Sequence, residues 1–178
     1  CSVSVDQVQG GYLGIEYLAS LGHKKVLWLS GPPAHLQSNQ RLLGVQQAAR
    51  KFDIEVSTIT SPGLDFISGE QIAKDIVDLG PLPDSIFCCN DAQALGVMNY
   101  FFKVGIKVPE DVSILGFDNV AYAESALVPL STVSQTPYQL GYTMGQQLLT
   151  EFSAGSDHAH QRAVFQPTIV ERASTRAI

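Results

Sequence analysis

Short apolar runs alternate with amphipathic stretches along this chain. Five of the runs have the pattern of buried strands, and they cover residues 26–29, 55–60, 85–89, 112–117 and 131–133. The first four begin about one strand–helix unit apart, with helical apolar stripes between them. That rhythm is typical of parallel strands joined by right-handed helical crossovers. The pattern therefore predicts an α/β fold with a doubly wound parallel sheet.

The two ends of the chain add smaller elements. Residues 3–6 are expected to be extended, and a helical stripe follows from Gly10 to Leu21. Near the other end, Pro137 suits the first turn of a helix over 137–153, because proline there gives up an N–H that has no helical partner. A polar loop over 155–161 and short extended pieces at 163–165 and 169–170 complete the prediction.

Polar side chains follow the predicted strands at the points where those strands stop. Ligands of open parallel sheets sit beyond the carboxyl ends of the strands, so these residues are the candidate ligand contacts. They offer a cation, carboxylates, amides and an aromatic ring, which suits a neutral polyhydroxylated or heterocyclic ligand held without covalent chemistry. The set is the loop 34–40, Arg41, Phe66, Asn90, Asp91, Asp118 and Gln135.

Each candidate also has a purely structural interpretation. Asn90 or Asp91 could cap the next helix, and Asp118 with Asn119 could simply form a turn. Arg41 could lie on a helix surface, Phe66 could be a core aromatic, and Gln135 could satisfy backbone groups at a strand end. Their common position at strand ends favours a binding site over these alternatives.

Composition and charge exclude several roles for this stretch of chain. Its 178 residues carry a net charge of −6, which disfavours direct binding to nucleic acid or to an anionic membrane. No apolar run approaches the ~20 residues that a membrane span requires. Cys88 and Cys89 are adjacent in an apolar strand and should be reduced thiols on opposite faces, which fits a reducing, cytoplasmic compartment.

Catalytic and metal-binding signatures are missing from the sequence. No nucleophile elbow, phosphate-binding loop or zinc-protease motif occurs, and no cysteine, histidine or carboxylate cluster has metal-ligand spacing. The four histidines fall in polar turns, including the stretch His23-Lys24-Lys25 that we expect to be solvated. We therefore expect no enzyme activity, no cofactor and no metal.

Several motifs resemble the LacI/GalR family of bacterial transcription regulators. These are GHKKVLWLSGPP at 22–33, QRLLG at 40–44, NDAQALG at 90–96, VPEDVSILGFDN at 108–119, PLSTVSQ at 129–135 and VERAST at 170–175. The resemblance implies a fold like that of periplasmic sugar-binding proteins, with a ligand cleft between two α/β subdomains. An N-terminal helix-turn-helix would bind operator DNA, and the family lacks enzyme activity.

The resemblance also assigns roles to residues. Family ligand contacts map onto Arg41, Asn90, Asp118 and Gln135, with Phe66 covering the ligand and Gln37 and Ser38 contributing from their loop. The helix over 92–103 and the segment 121–128 match the family's dimer surface. That surface would include Leu95, Met98 and Ala126, although Leu95 and Met98 could equally be core residues of one helical face.

The same comparison predicts how the chain is divided. Residues 1–22 would be a remnant of the first subdomain, and 23–135 would form the second. Residues 136–162 would belong to the first subdomain as a crossover helix and loop, followed by a return strand over 163–178. We expect the chain to be part of a longer protein, because family members carry a DNA-binding domain and most of a subdomain before the position of Cys1.

Three other functions fit the sequence less well. A periplasmic sugar-binding transport receptor would share the fold, but the ERAST motif disfavours it. An enzyme on a doubly wound sheet is the second alternative, and a regulator that reads a protein partner is the third. The effector itself is not fixed by the sequence, although a sugar is favoured over a nucleobase.

Overall fold

The fold was analysed in a computed structural model that describes residues 1–154 and 158–178. The strands are Ser2–Val5 (β1), Lys25–Ser30 (β2), Glu55–Thr60 (β3), Ser85–Cys88 (β4), Ser113–Asp118 (β5), Ser131–Ser134 (β6), Arg162–Phe165 (β7) and Thr168–Val170 (β8). The helices are Gln7–Ser20 (α1), Leu36–Phe52 (α2), Phe66–Asp78 (α3), Asp91–Val104 (α4), Ala121–Glu124 (α5) and Pro137–Ala154 (α6).

Six strands form the main sheet in the order β3-β2-β4-β5-β6-β8. All neighbours run parallel except β8, which pairs antiparallel with β6. The strand order reverses beside β2, with β3 on one side and β4 on the other, so α1 and α2 cover one face of the sheet and α3 and α4 cover the other. The predicted α/β class and the doubly wound parallel sheet are confirmed.

Two hydrophobic cores lie on the two faces of this sheet. One contains residues of α1 and α2, such as Ile15 and Val45, packed on Trp28. The other contains residues of α3 and α4, such as Ile72 and Phe101. Cys88 belongs to the second core and Cys89 to the first, so the predicted opposite orientation of these two thiols is confirmed. Both thiols are free.

The predicted elements differ from the structure mainly at their boundaries. Helix α1 begins at Gln7 rather than near Gly10, because Asp6 caps it through the N–H of Gln9. Helix α2 begins at Leu36, inside the stretch predicted to be a polar loop, with His35 as its cap. The four-residue helix α5 was not predicted.

Each end of the chain is divided between the two sheets, and the predicted subdomain boundaries stay a prediction. Strand β1 pairs with β7 in a separate two-stranded sheet, whereas α1 packs on the main sheet, so residues 1–22 do not form one unit. Residues 163–178 are likewise divided, because β7 joins β1 and β8 joins the main sheet. Helix α6 has no buried residue. Part of the predicted loop over 155–161 lies outside the described residues.

The prediction of a solvated turn at 23–25 is wrong for its first residue. His23 is fully buried, and its Nε2 lies 3.1 Å from the carbonyl oxygen of Arg176. Burial lowers the pKa of His23, so the neutral ring is favoured. Lys24 and Lys25 are exposed as expected. A local sequence pattern could not predict this burial, because the C-terminal segment that covers His23 is distant in the sequence.

Candidate functional site

A polar cavity of about 340 Å³ lies at the carboxyl ends of the parallel strands. Its volume falls at the small end of the range of about 300–1,000 Å³ that is usual for ligand pockets. The residues that line it come from six separate segments of the chain, brought together by the parallel sheet. They are Gln7, His35, Gln37, Arg41, Leu64, Cys89, Asn90, Asp118 and Gln135.

The backbone turns sharply at the end of β5 and directs the carboxylate of Asp118 to this cavity. Asp118 has φ 118° and Asn119 has φ 59°, both in a region where side chains other than glycine are uncommon. Asn119 holds the turn, since its Oδ1 accepts from Arg172 Nη2 at 2.8 Å and its N–H donates to Thr132 Oγ1 at 3.3 Å. Asn119 therefore has the structural turn role, while Asp118 remains available to a ligand.

The carboxylate of Asp118 is held on one side only. Gln135 Nε2 donates to its Oδ1, and Arg41 Nη2 lies 3.6 Å from the same oxygen. Its Oδ2 has no hydrogen-bond partner among the described residues, and 31% of the side chain is exposed. Desolvation raises the pKa of Asp118, and the nearby Arg41 charge opposes that rise. The arrangement leaves one oxygen free to accept hydrogen bonds from a ligand.

Arg41 is buried and contacts four other residues. Besides Asp118, its Nε donates to Gln7 Oε1 at 2.7 Å and its Nη1 donates to the carbonyl oxygen of Cys89. The guanidinium carbon lies 3.5 Å from the centre of the Phe117 ring, which is a cation–π contact. Burial lowers the pKa of Arg41, and the charge of Asp118 opposes this. Arg41 thus acts first as the fixed counter-charge that orients Asp118.

Close packing of α1 on α2 positions both Gln7 and Arg41. A Cβ added at Gly11 would lie 1.9 Å from the carbonyl oxygen of Arg41, and one at Gly44 would lie 1.8 Å from that of Val8. Only glycine allows the two backbones to approach this closely. The helix pair therefore brings Gln7 into the cavity, where its Nε2 donates to Gln135 Oε1 at 3.0 Å.

The amide of Asn90 has both structural and solvent-facing groups. Its Oδ1 accepts from the Gln93 N–H at 2.8 Å, which caps α4, and its Nδ2 donates to the carbonyl oxygen of Leu64 at 2.7 Å. Asn90 therefore does cap α4, as its structural interpretation predicted. Because a primary amide has a second N–H and a second lone pair, Asn90 can still bind a ligand from the wall of the cavity.

Two predicted contacts do not line the cavity. Ser38 is fully buried, and its Oγ accepts from the Gly31 N–H at 2.9 Å and contacts Ser30 Oγ at 3.1 Å. The Phe66 ring lies instead in an apolar groove formed largely by α4 and the segment 105–110. Leu64 supplies an apolar side chain in the cavity. The sequence did not single out Gln7, His35 or Leu64, since each depends on a helix start or on packing between distant segments.

Asp91, the third predicted contact that does not line the cavity, is fully buried. Its Oδ1 accepts from Thr132 Oγ1 at 2.6 Å, and its Oδ2 accepts from the Val120 N–H at 2.9 Å. Desolvation is the main reason that the pKa of Asp91 rises to about 6. Asp91 joins α4 to the turn after β5 and does not contact the cavity.

The apolar groove has a volume of about 570 Å³. It contains all three residues predicted for a dimer surface, Leu95, Met98 and Ala126, together with exposed Leu127. Met98 also belongs to the core and Leu95 packs against it, so the core interpretation holds for this pair, and their part in a dimer surface stays a prediction. The remaining lining residues are Phe66, Asn99, Phe102, Gly105, Ile106, Lys107, Val108, Glu110, Tyr122 and Val128.

Residues 15–175 match the family model of the periplasmic binding protein-like domain. The chain belongs to this family. Its similarity to repressors agrees with the LacI/GalR resemblance read from the motifs. The PurR transcriptional repressor of Vibrio atlanticus is 32% identical over 174 residues, which is 96% of this chain and 51% of that protein. The CytR repressor of Escherichia coli is 31% identical over 179 residues, covering 99% of this chain and 52% of CytR.

Solved structures of the family have the same fold. A dimeric Lac repressor has a TM-score of 0.90 at 27% identity, with 99% of this chain and 65% of the other covered. A LacI family regulator from Enterococcus faecium with bound ribose has a TM-score of 0.91 at 25% identity, with the same coverage. The PurR and CytR relatives are helix-turn-helix transcriptional repressors. The chain spans about half the length of the curated relatives that it matches.

Proposed function

We propose that this chain is the effector-binding part of a LacI/GalR-type transcriptional regulator. Its relatives of about twice its length are helix-turn-helix repressors, which supports operator DNA as a partner reached through a segment outside this sequence. The net charge of −6 agrees with a domain that does not itself grip DNA. Among the described helices, none combines the length and apolar character needed to cross a bilayer.

The free Oδ2 of Asp118, facing a polar cavity, is the observation that carries this proposal. A carboxylate with an unused oxygen accepts hydrogen bonds from the hydroxyl groups of a small ligand. The fixed Arg41 charge favours the ionised form of that carboxylate and orients it. A sugar is favoured as the effector, since structural neighbours hold ribose and, in a protein from Alkaliphilus metalliredigens, D-xylulofuranose.

The other cavity residues complete the ligand contacts. Gln135 and Asn90 donate and accept through their amide groups, and Gln37 reaches the ligand from the first turn of α2. Gln7 belongs to the same set, because it links Arg41 to Gln135. Ser38 holds the loop after β2 in place, and the Phe66 ring lines the apolar groove.

Effector control needs a second wall that closes over the cavity. Helix α6 presents an unpaired apolar surface, with Tyr138, Leu149 and Phe152 all exposed, which suits packing against a further subdomain. If the effector binds the closed arrangement better than the open one, it shifts the population toward closure. In allosteric proteins, the coupling free energy between two binding sites is typically about 1–3 kcal/mol, which is sufficient for the effector to change operator affinity.

The apolar groove is the proposed dimer surface of the regulator. Its aliphatic and aromatic lining suits a second protein surface better than a hydroxylated ligand. A dimeric Lac repressor is among the structural neighbours. The regulator would work on DNA in the cytoplasm as a homodimer, without a cofactor and without catalysing a reaction.

The effector response can be tested in the full-length protein by the substitution Asp118→Ala. We expect the variant to bind operator DNA but to lose its effector response, with effector affinity lowered about 10- to 100-fold, because hydrogen bonds to a charged group contribute about 1.5–3 kcal/mol. Operator binding is followed by fluorescence anisotropy with increasing monosaccharide. Asp78→Ala, an exposed carboxylate at the end of α3, is the matched control. An unchanged response in Asp118→Ala would remove this residue from the site.

A further inference from the structure

Four potential metal ligands from distant parts of the chain meet beside the two-stranded sheet. Cys1, Glu151, His158 and His160 each offer one ligand atom, and all four atoms lie within 4.8 Å of one another. Glu151, His158 and His160 lie close together in the sequence, whereas Cys1 reaches them only through the pairing of β1 with β7. The cluster is separate from the effector cavity and from the apolar groove.

The thiol and one imidazole of this cluster are largely removed from solvent. Cys1 as a whole residue is exposed, but its side chain and that of His158 are only 8% and 6% exposed, and Cys1 Sγ lies 2.9 Å from His158 Nε2. The Gln161 N–H lies 3.4 Å from the same sulfur atom. A backbone N–H directed at a cysteine sulfur is the kind of supporting contact that stabilises a thiolate ligand.

The direction of the contacts favours a metal over a catalytic relay. In a relay, one nitrogen of the histidine faces the nucleophile and the other faces the carboxylate. Here, both Cys1 Sγ and Glu151 Oε2 approach His158 Nε2, at 2.9 and 3.9 Å. Convergence of a sulfur, a nitrogen and an oxygen on one small volume is what a shared cation requires.

From this geometry we infer that Cys1, Glu151, His158 and His160 form a binding site for a divalent transition metal of the zinc type. Tetrahedral zinc with bonds of about 2.0–2.3 Å sets its ligand atoms roughly 3.3–3.8 Å apart, within the observed spread. Thiolate and imidazole ligands select zinc and similar metals, whereas magnesium and calcium prefer oxygen. The bound metal would tie the end of α6 to β1 and β7.

Metal binding is tested on the purified full-length protein with Zn²⁺ and with Co²⁺ as a spectroscopic probe. We expect one Zn²⁺ to be retained per chain, and Co²⁺ to give the charge-transfer absorption of a cobalt–thiolate bond. Cys1→Ser should abolish that absorption, and His158→Ala should weaken Zn²⁺ binding at least about tenfold. Mg²⁺ should not compete.

A matched pair of carboxylate variants controls for general effects of charge. Glu151→Gln should lower Zn²⁺ affinity, while Glu124→Gln, exposed on α5, should leave it unchanged. Circular dichroism verifies that each variant is folded. Zn²⁺ affinity that is equal in wild-type protein and His158→Ala would overturn the proposal, as would a Co²⁺ spectrum without the thiolate band or a protein that retains no Zn²⁺.

Discussion

The polar cavity and the apolar groove differ in almost every physical property. The cavity is the smaller, at about 340 Å³ against about 570 Å³, and it contains the Arg41–Asp118 ion pair. The groove is lined mainly by aliphatic and aromatic side chains from the α4 side of the molecule. The cavity therefore suits a small hydroxylated molecule, and the groove suits another protein surface.

The contrast teaches that size alone is a poor guide to a small-molecule site. The larger depression has few convergent polar groups to orient a sugar. In the smaller one, side chains from several strand ends are already held by one another, as Gln7, Arg41 and Gln135 show. A preorganised site loses less free energy on binding than one whose side chains must first be ordered.

Asp91 joins α4, which lines the groove, to the turn over 118–120, whose Asp118 lines the cavity. The free energy of unfolding should therefore depend on pH through the ionisation of Asp91. Burial raises the pKa of Asp91 to about 6 from an ordinary value of 3.8. The folded protein then holds more protons than the unfolded chain between these values, so this contribution to stability is present at low pH and is lost as pH rises through about 6.

Urea unfolding of wild-type protein and Asp91→Asn at pH 4.5 and 7.5 checks this sign. The destabilisation caused by the substitution should be larger at pH 4.5 than at pH 7.5, by about 2 kcal/mol. Comparing the two proteins at each pH cancels the other titrating groups. An equal effect of the substitution at both pH values would show that the pKa of Asp91 is not raised.

Self-association should respond to the groove and not to the cavity. Leu127 is 79% exposed in the groove, so Leu127→Lys should weaken dimerisation roughly 10- to 100-fold, because burying a leucine contributes about 1.5–3 kcal/mol. Sedimentation velocity measures the dimer, and Leu43→Lys on exposed α2 surface is the control. If Leu127→Lys lost effector binding and kept its dimer, the assignment of the groove to dimerisation and of the cavity to effector binding would be wrong.

The helix pair that supports the cavity can be disturbed without changing any polar group. Gly44→Ala would force its Cβ against the Val8 carbonyl and separate α1 from α2, at a cost of roughly 1–3 kcal/mol in stability. Gly141→Ala on α6 meets no atom within 4 Å and should be neutral or slightly stabilising. Thermal unfolding compares the two. Equal stability of both variants would contradict the close approach of the helices.

Local patterns predicted the sheet and most of the cavity because both follow from short-range rules. A buried run that ends in a polar residue places Asp118 and Asn90 at one sheet edge without knowledge of tertiary contacts. Phe66 lies at the start of α3, and its ring lines the groove, a position that the local pattern did not predict. Residues buried by distant segments, such as His23 beneath the C-terminal tail, give no local pattern at all.

The most direct test of the account is to map where a sugar binds. Backbone NMR spectra of the full-length protein are recorded during titration with ribose and a panel of related monosaccharides. We expect the largest shifts at Asn90, Asp118 and Gln135, with the groove residues Phe102 and Leu127 unaffected. Shifts confined to the groove, or no response to any member of the panel, would contradict the claim that the strand-end cavity is a sugar-sensing site.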